Sequence, residues 1–262
     1  GRVFISALTE SNTPITERQK TILTETLDNQ FNPAGLWPKI VNPQLRFVNI
    51  QATVFYDPSI LEIGIKIKPL VIERLRQLSA EKIETFNNRL RFVDIAQAVG
   101  AISRAVIGSE VETTITVSPN DINEFIASKT LLFNQSIEPT TVISDPFLFD
   151  QRDGVVLKDT GSCKFDPDSN KGDLTVFRPS PDGFVPLIEQ VGTINYQTGE
   201  IKMTDTSFVA RSSLFDTNIA ITAKSADNDL VPAFNEVLLI DTNRSTITGV
   251  NNLTGVKFGD VQ

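Results

Sequence analysis

Apolar and polar residues alternate along one long stretch of the chain, residues 45–56, which lies between Asn42-Pro43 and Asp57-Pro58. A period of two over this length predicts a β-strand with one buried face. The two prolines keep helical structure from extending into the stretch from either side. The residues predicted to face the core are Val48, Ile50, Ala52, Val54 and Tyr56.

The second face of this predicted strand is mostly polar, so it contacts either water or a partner chain. No catalytic or phosphate-binding loop follows the strand, and a short bend leads into an amphipathic helix, which indicates a scaffold. We therefore predict that this side of the strand is a docking edge for another chain. The residues assigned to the docking edge are Asn49, Gln51, Thr53 and Phe55.

Strand and helix patterns alternate around this segment. Residues 2–8 predict a short strand, and Thr13-Pro14 opens a helix with apolar positions at helical spacing. A second helix begins near Pro69, and a third covers residues 92–99. The apolar face of the first helix comprises Ile15, Ile22, Leu23, Leu27 and Phe31. That of the second comprises Ile72, Leu75, Leu78, Ile83 and Phe86.

Two more strands are predicted at residues 101–107 and 111–117, on either side of Gly108-Ser109. The sequence thus predicts an α+β scaffold domain over residues 1–118 that begins with a strand–helix–strand unit. The following segment, 119–262, is punctuated by Asp-Gly, Asp-Pro and Ser-Pro pairs and predicts a β-rich domain of hairpins and long loops.

The clearest hairpin of the second segment is predicted around Gly199, whose freedom to adopt a positive φ suits a tight turn. Ile194 and Tyr196 are expected to face Ile201 and Met203 across it. Four more strands are predicted at residues 155–157, 174–177, 218–223 and 236–240.

Composition narrows the classes of function. The net charge of −8 and the pI near 4.7 disfavour binding to nucleic acid or to anionic membranes. No secretion signal or membrane span is apparent in the sequence, and its start at Gly1 indicates a processed or truncated chain.

The absence of histidine removes the usual general base and the commonest metal ligand. Cys163 is expected to be a minor loop thiol, and no motif indicates a cofactor or a small-molecule substrate.

Acidic and aromatic clusters in the second segment allow other interpretations. Asp166, Asp168 and Asn170, in an acidic cluster that ends at Asp173, resemble the opening of a calcium-binding loop, but no bidentate Glu completes it, and a solvated turn explains the same residues. Asp145, Asp150 and Asp153 could serve a carbohydrate-binding or hydrolytic module, although they lie in turn signatures. Phenylalanines crowd these loops, and those assigned to a protein interface are Phe147, Phe149 and Phe184.

Taken in order, the segments resemble the baseplate wedge proteins of contractile-tailed (T4-like) bacteriophages, the baseplate J-like family. The similarity is carried by the order and spacing of short motifs, most of them within residues 1–118. These are the Val3-Phe4-Ile5 strand, the helix from Thr16, Asn42-Pro43, Tyr56-Asp57-Pro58-Ser59, Phe86-Asn87, Leu90-Arg91-Phe92, Asp94-Ile95 and the later Gly192-Thr193-Ile194-Asn195-Tyr196 hairpin.

The resemblance implies structural work in a virion, after assembly in the cytoplasm of a bacterial host. Proteins of this family pair with copies of themselves, as homodimers, and with other baseplate wedge proteins. They join wedges into a ring around the hub, and the ring rearranges when the tail sheath contracts. The resemblance carries over no catalytic residue and no cofactor.

Overall fold

The computed structural model describes residues 2–9, 15–31, 37–60, 67–117, 130–149, 152–164, 166, 169–204, 220–227, 229–233, 235–252 and 257–258. The protein is mostly β, with 49% of its residues in strands, and the described part of the chain has three short helices and a curled sheet. This composition is compatible with the predicted α+β class.

The helices are α1 (Glu17–Phe31), α2 (Ile67–Leu78) and α3 (Phe92–Gly100), and a π-helical turn at Ser79–Ile83 extends α2. The strands of the first half are β1 (Arg2–Ser6), β2 (Trp37–Val41), β3 (Gln44–Tyr56), β4 (Leu90–Arg91) and β5 (Val106–Val117). The later strands are β6 (Thr130–Leu132), β7 (Ile143–Ser144), β8 (Phe147–Phe149), β9 (Arg152–Asp159), β10 (Lys171–Ser180), β11 (Gly183–Asn195), β12 (Glu200–Met203), β13 (Ile221–Lys224), β14 (Asp229–Leu230), β15 (Glu236–Ile240), β16 (Thr246–Asn251) and β17 (Lys257–Phe258).

The predicted strand between the two prolines is confirmed as β3, and it lies in the interior of a thirteen-stranded sheet. On one side it pairs antiparallel with β5, and on the other it pairs parallel with β15 and then with β16. The sheet runs in the order β17–β16–β3–β5–β13–β7–β9–β10–β11–β12–β6, with β15 joined to β3 and β8 to β9. Strands from before and after residue 118 therefore share one sheet.

The core lies against the apolar face of β3, as the alternation predicted. The five side chains of that face are each 1% exposed or less. The helix α2 contacts α3 and β16, and α3 contacts β5, so both helices help to cover the sheet. Their fully buried side chains include Ile67, Val71, Leu75, Ile83, Ile95 and Val99. Of the predicted positions on α2, Ile72 and Phe86 are only half-buried.

The strand predicted at residues 101–107 is wrong over most of its length. The Ala101 N–H donates to the Gln97 carbonyl, so the chain after α3 continues as a tight turn. A second turn bond, from the Val106 N–H to the Ser103 carbonyl, delays the strand until Val106. The predicted second strand is confirmed within β5, where Val111, Thr113, Ile115 and Val117 all face inward.

The predicted hairpin is confirmed as β11 and β12, in which Ile194 pairs with Ile201 and Gly199 has a φ of 66°. Tyr196 lies beyond the paired residues of β11, and Met203 pairs with Gly192. Tyr196 is the first residue of the four-residue turn. The turn is stabilised by Asn195, whose Oδ1 accepts hydrogen bonds from the N–H groups of Gln197 and Thr198. The strands predicted at 155–157, 174–177, 218–223 and 236–240 overlap β9, β10, β13 and β15.

Candidate protein interface

The strands β1 and β2 form a two-stranded parallel sheet of their own, connected through α1. In the described part of the chain neither strand pairs with a third, so each keeps one edge free of main-chain partners. A pair of strands alone is marginally stable in water, and unpaired edges are places where other chains add strands. This unit therefore has strand edges that another chain can pair with.

One face of this small sheet carries two exposed aromatic rings, Phe4 and Trp37, which we call the aromatic face. Arg2 pairs with Trp37 and Phe4 pairs with Lys39, and residues two apart on a strand point the same way. The Phe4 side chain is 59% exposed and the Trp37 side chain 66%. The Lys39 ammonium lies 6.0 Å from the centre of the Phe4 ring, at the outer range of a cation–π contact.

The helix α1 begins with a capping arrangement at its N-terminus. The Thr16 N–H donates to Gln19 Oε1 over 2.8 Å, and the Gln19 N–H donates to Thr16 Oγ1 over 3.4 Å. These bonds satisfy backbone groups that would otherwise lack partners at the start of the helix.

The predicted apolar face of α1 is buried only in part. Ile15 is buried just before the helix, but Ile22 is 53% exposed and Leu23 is 39% exposed. Leu27 of the predicted face is half-buried, together with Lys20, Thr24 and Asp28, and the helix packs on β2. The helix thus presents two aliphatic side chains to solvent, and Phe31 lies in the helix without a described side-chain environment.

Polar contacts join this unit to the main sheet. The side chains of Ser6 and Asn235 form a hydrogen bond, and the Gln44 N–H donates to the Asn235 carbonyl over 2.8 Å. Next to them, Arg46 and Glu236 form a buried ion pair, with Arg46 Nε 2.6 Å from Glu236 Oε1. Together these bonds hold the end of β1 and the start of β3 against the residues that begin β15.

The four residues of the predicted docking edge occupy one side of β3, but the prediction of an edge is wrong. Both edges of β3 are paired, so its main chain has no free side on which a partner strand could add. Asn49 is buried and donates to Thr116 Oγ1 over 2.7 Å, which makes it part of this fold. Gln51 is exposed, and Thr53 and Phe55 are half-buried, so a contact through the face of the strand stays a prediction.

The three predicted phenylalanines have different environments. Phe147 is 7% exposed and Phe149 is 3% exposed, and both belong to the core cluster, which corrects their assignment to an exposed patch. Phe184 is 48% exposed near the tip of the β10–β11 hairpin and lies edge-on to Phe177. Five strands separate β11 from β3 in the sheet order. Phe184 and Gln51 therefore do not lie on neighbouring strands and do not form one surface patch through strand pairing.

Of the acidic side chains that were considered as ligands or catalysts, Asp145 and Asp173 are engaged within the fold, and Asp166 is exposed. Arg244 holds Asp145 through two bonds of 2.8 and 2.6 Å. Asp173 accepts bonds from the Lys164 N–H and the Gln190 amide. Asp150, Asp168 and the Asp153 side chain lie outside the described residues. Within the described part of the chain, no three acidic or cysteine side chains are grouped closely enough to hold a metal ion.

Trp37 and Phe4 were missed as candidate interface residues by the analysis of the sequence. Trp37-Pro38 reads as a connection into the strand that follows, and Phe4 reads as an ordinary strand residue. The alternation of Arg2, Phe4 and Ser6 with Val3 and Ile5 was the available signal, but it does not tell which face is covered.

None of the described helices is long and apolar enough to cross a membrane. Comparison with known proteins gives no match, either to a protein family or to a curated protein.

Proposed function

We propose that this chain is a structural component of a phage tail baseplate wedge. It forms interfaces with itself and with other wedge proteins, joins wedges into a ring around the hub, and rearranges during sheath contraction. The similarity in the order of its segments to the baseplate J-like family is the source of this proposal.

The observation that carries the proposal is the aromatic face formed by Phe4 and Trp37. An exposed Trp beside an exposed Phe is characteristic of binding surfaces, since aromatic side chains contribute most to the energy of buried contacts. Ile22 and Leu23 on α1 add aliphatic surface to the same small unit. Apolar surface concentrated on one weakly covered element fits a protein that works by assembly.

The alternative of a carboxylate-based hydrolytic module has less support from the described residues. Asp145 is neutralised by Arg244 in a two-bond ion pair, which suits a structural role for that carboxylate. The hydrolytic interpretation needs a free pair of carboxylates at a fixed separation.

Replacement of both aromatic side chains tests the assembly role. We expect Phe4→Ser with Trp37→Ser to weaken self-association by about 30-fold, which corresponds to the loss of one central contact of about 2 kcal/mol. Sedimentation velocity over a concentration series measures the change, and circular dichroism checks that the variant is folded.

The matched control is Ile107→Ser, because Ile107 is 58% exposed on β5 and lies outside the aromatic face. The control should associate as the unchanged protein does. Equal self-association of all three proteins would exclude the aromatic face as the interface, and equal weakening by the control would show that general surface hydrophobicity drives the association.

A further inference from the structure

A cleft opens on the β-rich half between the β9–β10 connection and β11, apart from the aromatic face. Its volume is about 410 Å³, within the range of small-molecule sites. Three side chains of β10 at every second position line it, namely Asp173, Thr175 and Phe177. The rest of the lining is Thr160, Ser162, Lys164, Pro186, Glu189 and Gln190. Two carboxylates, one ammonium group, three hydroxyls, an amide and an aromatic ring therefore meet in one concavity.

The main chain of β11 is distorted at this cleft. Leu174 pairs with Gly192 and Val176 pairs with Ile188, so one residue on β10, Thr175, lies opposite three on β11, residues 189–191. Gln190 lies inside this bulge with a φ of 58°, a left-handed conformation that a residue with a side chain seldom adopts. Bulges and strained backbone of this kind concentrate at binding sites, where they aim a side chain.

The distortion aims the Gln190 amide at a buried carboxylate. Gln190 Nε2 donates to Asp173 Oδ2 over 3.0 Å, and the Lys164 N–H donates to the same oxygen over 2.8 Å. Asp173 is 4% exposed, and Thr175 beside it is 3% exposed. Burial alone would raise the pKa of Asp173, but the bonds from Lys164 and Gln190 lower it below its ordinary value. The carboxylate is thus an ionised hydrogen-bond acceptor.

The charges around the cleft are largely paired, which restricts what it can bind. The Lys164 ammonium and the Glu189 carboxylate lie 3.4 Å apart and join the two sides of the mouth. The lining contains one cationic side chain and two anionic ones, so no excess of positive charge is present to recognise an anion. The three hydroxyls, the Gln190 amide and the Asp173 carboxylate can form hydrogen bonds with a ligand rich in hydroxyl groups. The Phe177 ring can pack against an apolar C–H face of the same ligand.

We propose that this cleft binds a neutral saccharide, with the Phe177 ring against a sugar face and with Asp173 and Gln190 hydrogen-bonded to its hydroxyls. The inference rests on the cleft alone and is independent of the proposed assembly role. No covalent step is involved, since the site has the features of a binding site only.

Binding of maltohexaose and of chitohexaose to the full chain tests the proposal by heteronuclear NMR. We expect at least one of them, at about 10 mM, to shift the amide signals of residues 160–164 and 187–190, because a ligand of millimolar affinity occupies most of its sites at that concentration. Absence of shifts with both probes would overturn the proposal. Comparable shifts with a sulfated oligosaccharide would overturn the assignment to a neutral ligand.

Two substitutions separate binding from folding. Gln190→Gly removes the amide but relieves the left-handed strain, so the variant should stay folded and bind at least about 10-fold more weakly. Phe177→Leu keeps an apolar side chain but removes the ring, and it should weaken binding by a similar factor. Unchanged affinity in both folded variants would place the saccharide elsewhere and contradict the proposal.

Discussion

At the scale of the residue, Asp159 is a carboxyl group buried at the end of β9, where it is 2% exposed. Its Oδ2 accepts bonds from the Tyr196 hydroxyl (2.9 Å) and the Thr140 N–H (2.7 Å), whereas Oδ1 has no partner among the described residues. Burial raises the pKa of Asp159, and the bonds from Tyr196 and Thr140 offset this only in part. The folded protein therefore holds a proton at Asp159 more tightly than the unfolded chain does.

This raised pKa makes stability depend on pH in a defined direction. The favourable contribution of Asp159 is complete below its unfolded pKa and is lost as the pH rises through its folded pKa. Asp159→Asn does not titrate. The free energy of unfolding of the unchanged protein, minus that of the variant, should therefore fall as the pH rises from about 4. Urea unfolding at several pH values measures this difference, and a difference constant with pH would contradict the raised pKa.

Tyr196→Phe provides the companion measurement. It removes the hydroxyl that donates to Asp159 and so removes one of the bonds that lower its pKa. The pKa of Asp159 should then rise further, so its contribution to the free energy of unfolding should be lost at a higher pH than in the unchanged protein.

The buried ion pair of Arg46 with Glu236 gives a second prediction at this scale. Arg46 is 6% exposed and Glu236 is 3% exposed, and Glu236 also accepts bonds from Asn134 and from the Ala233 N–H. Arg46→Met leaves the carboxylate buried without its cation and should reduce the free energy of unfolding by about 3–5 kcal/mol.

Adding Glu236→Gln to Arg46→Met removes the uncompensated charge, so the double variant should be more stable than Arg46→Met alone. Chemical denaturation of the three variants, including Glu236→Gln alone, completes the cycle. If the losses in free energy of unfolding of the two single variants add up to that of the double variant, the two charges are not coupled.

At the scale of the element, Gly199 closes the β11–β12 hairpin. Its φ is 66°, and a Cβ placed on it would lie 2.5 Å from the Gln135 carbonyl oxygen. Gly199→Ala should cost about 2–4 kcal/mol through left-handed strain and overpacking. Gly108→Ala on β5 is the matched control, because a Cβ there has no neighbour within 4 Å, and it should change stability by less than about 0.5 kcal/mol. Equal melting temperatures for the two variants would contradict the tight turn.

Elements with a strong local pattern could be predicted from the sequence, and their neighbours could not. Alternation over residues 45–56 identified β3 and its buried face, and Gly199 identified a hairpin. The parallel partners of β3 come from the other end of the chain, at β15 and β16, and no local pattern encodes such pairing. For this reason β3 was expected to offer an edge, although it lies inside the sheet.

The candidate interface was predictable only in part for a related reason. The helical spacing of Ile22 and Leu23 suggested an apolar face on α1, but spacing does not show which side of a helix the rest of the chain covers. Phe147 and Phe149 occur in a loop-rich sequence, yet β8 pairs with β9 and brings their rings into the core. Trp37 was not predicted because its exposure depends on which of the described elements pack against β2, and only the fold reveals this.

At the scale of the whole molecule, one large sheet holds strands from both halves of the chain, and a small sheet with an exposed aromatic face lies outside it. Such an arrangement suits a rigid body that contacts partners through a peripheral element. In the proposed baseplate role, the large sheet keeps its shape while contacts at the aromatic face join neighbouring subunits.

Mass measurement of the purified chain, alone and co-expressed with the proteins encoded by adjacent genes, tests the structural role most directly. The account predicts a dimer of the chain alone and a larger, defined complex with at least one neighbouring wedge protein. Both species should be lost or weakened when Phe4 and Trp37 are replaced by Ser. A strict monomer at a concentration of about 100 μM, with no affinity for those proteins, would contradict the account.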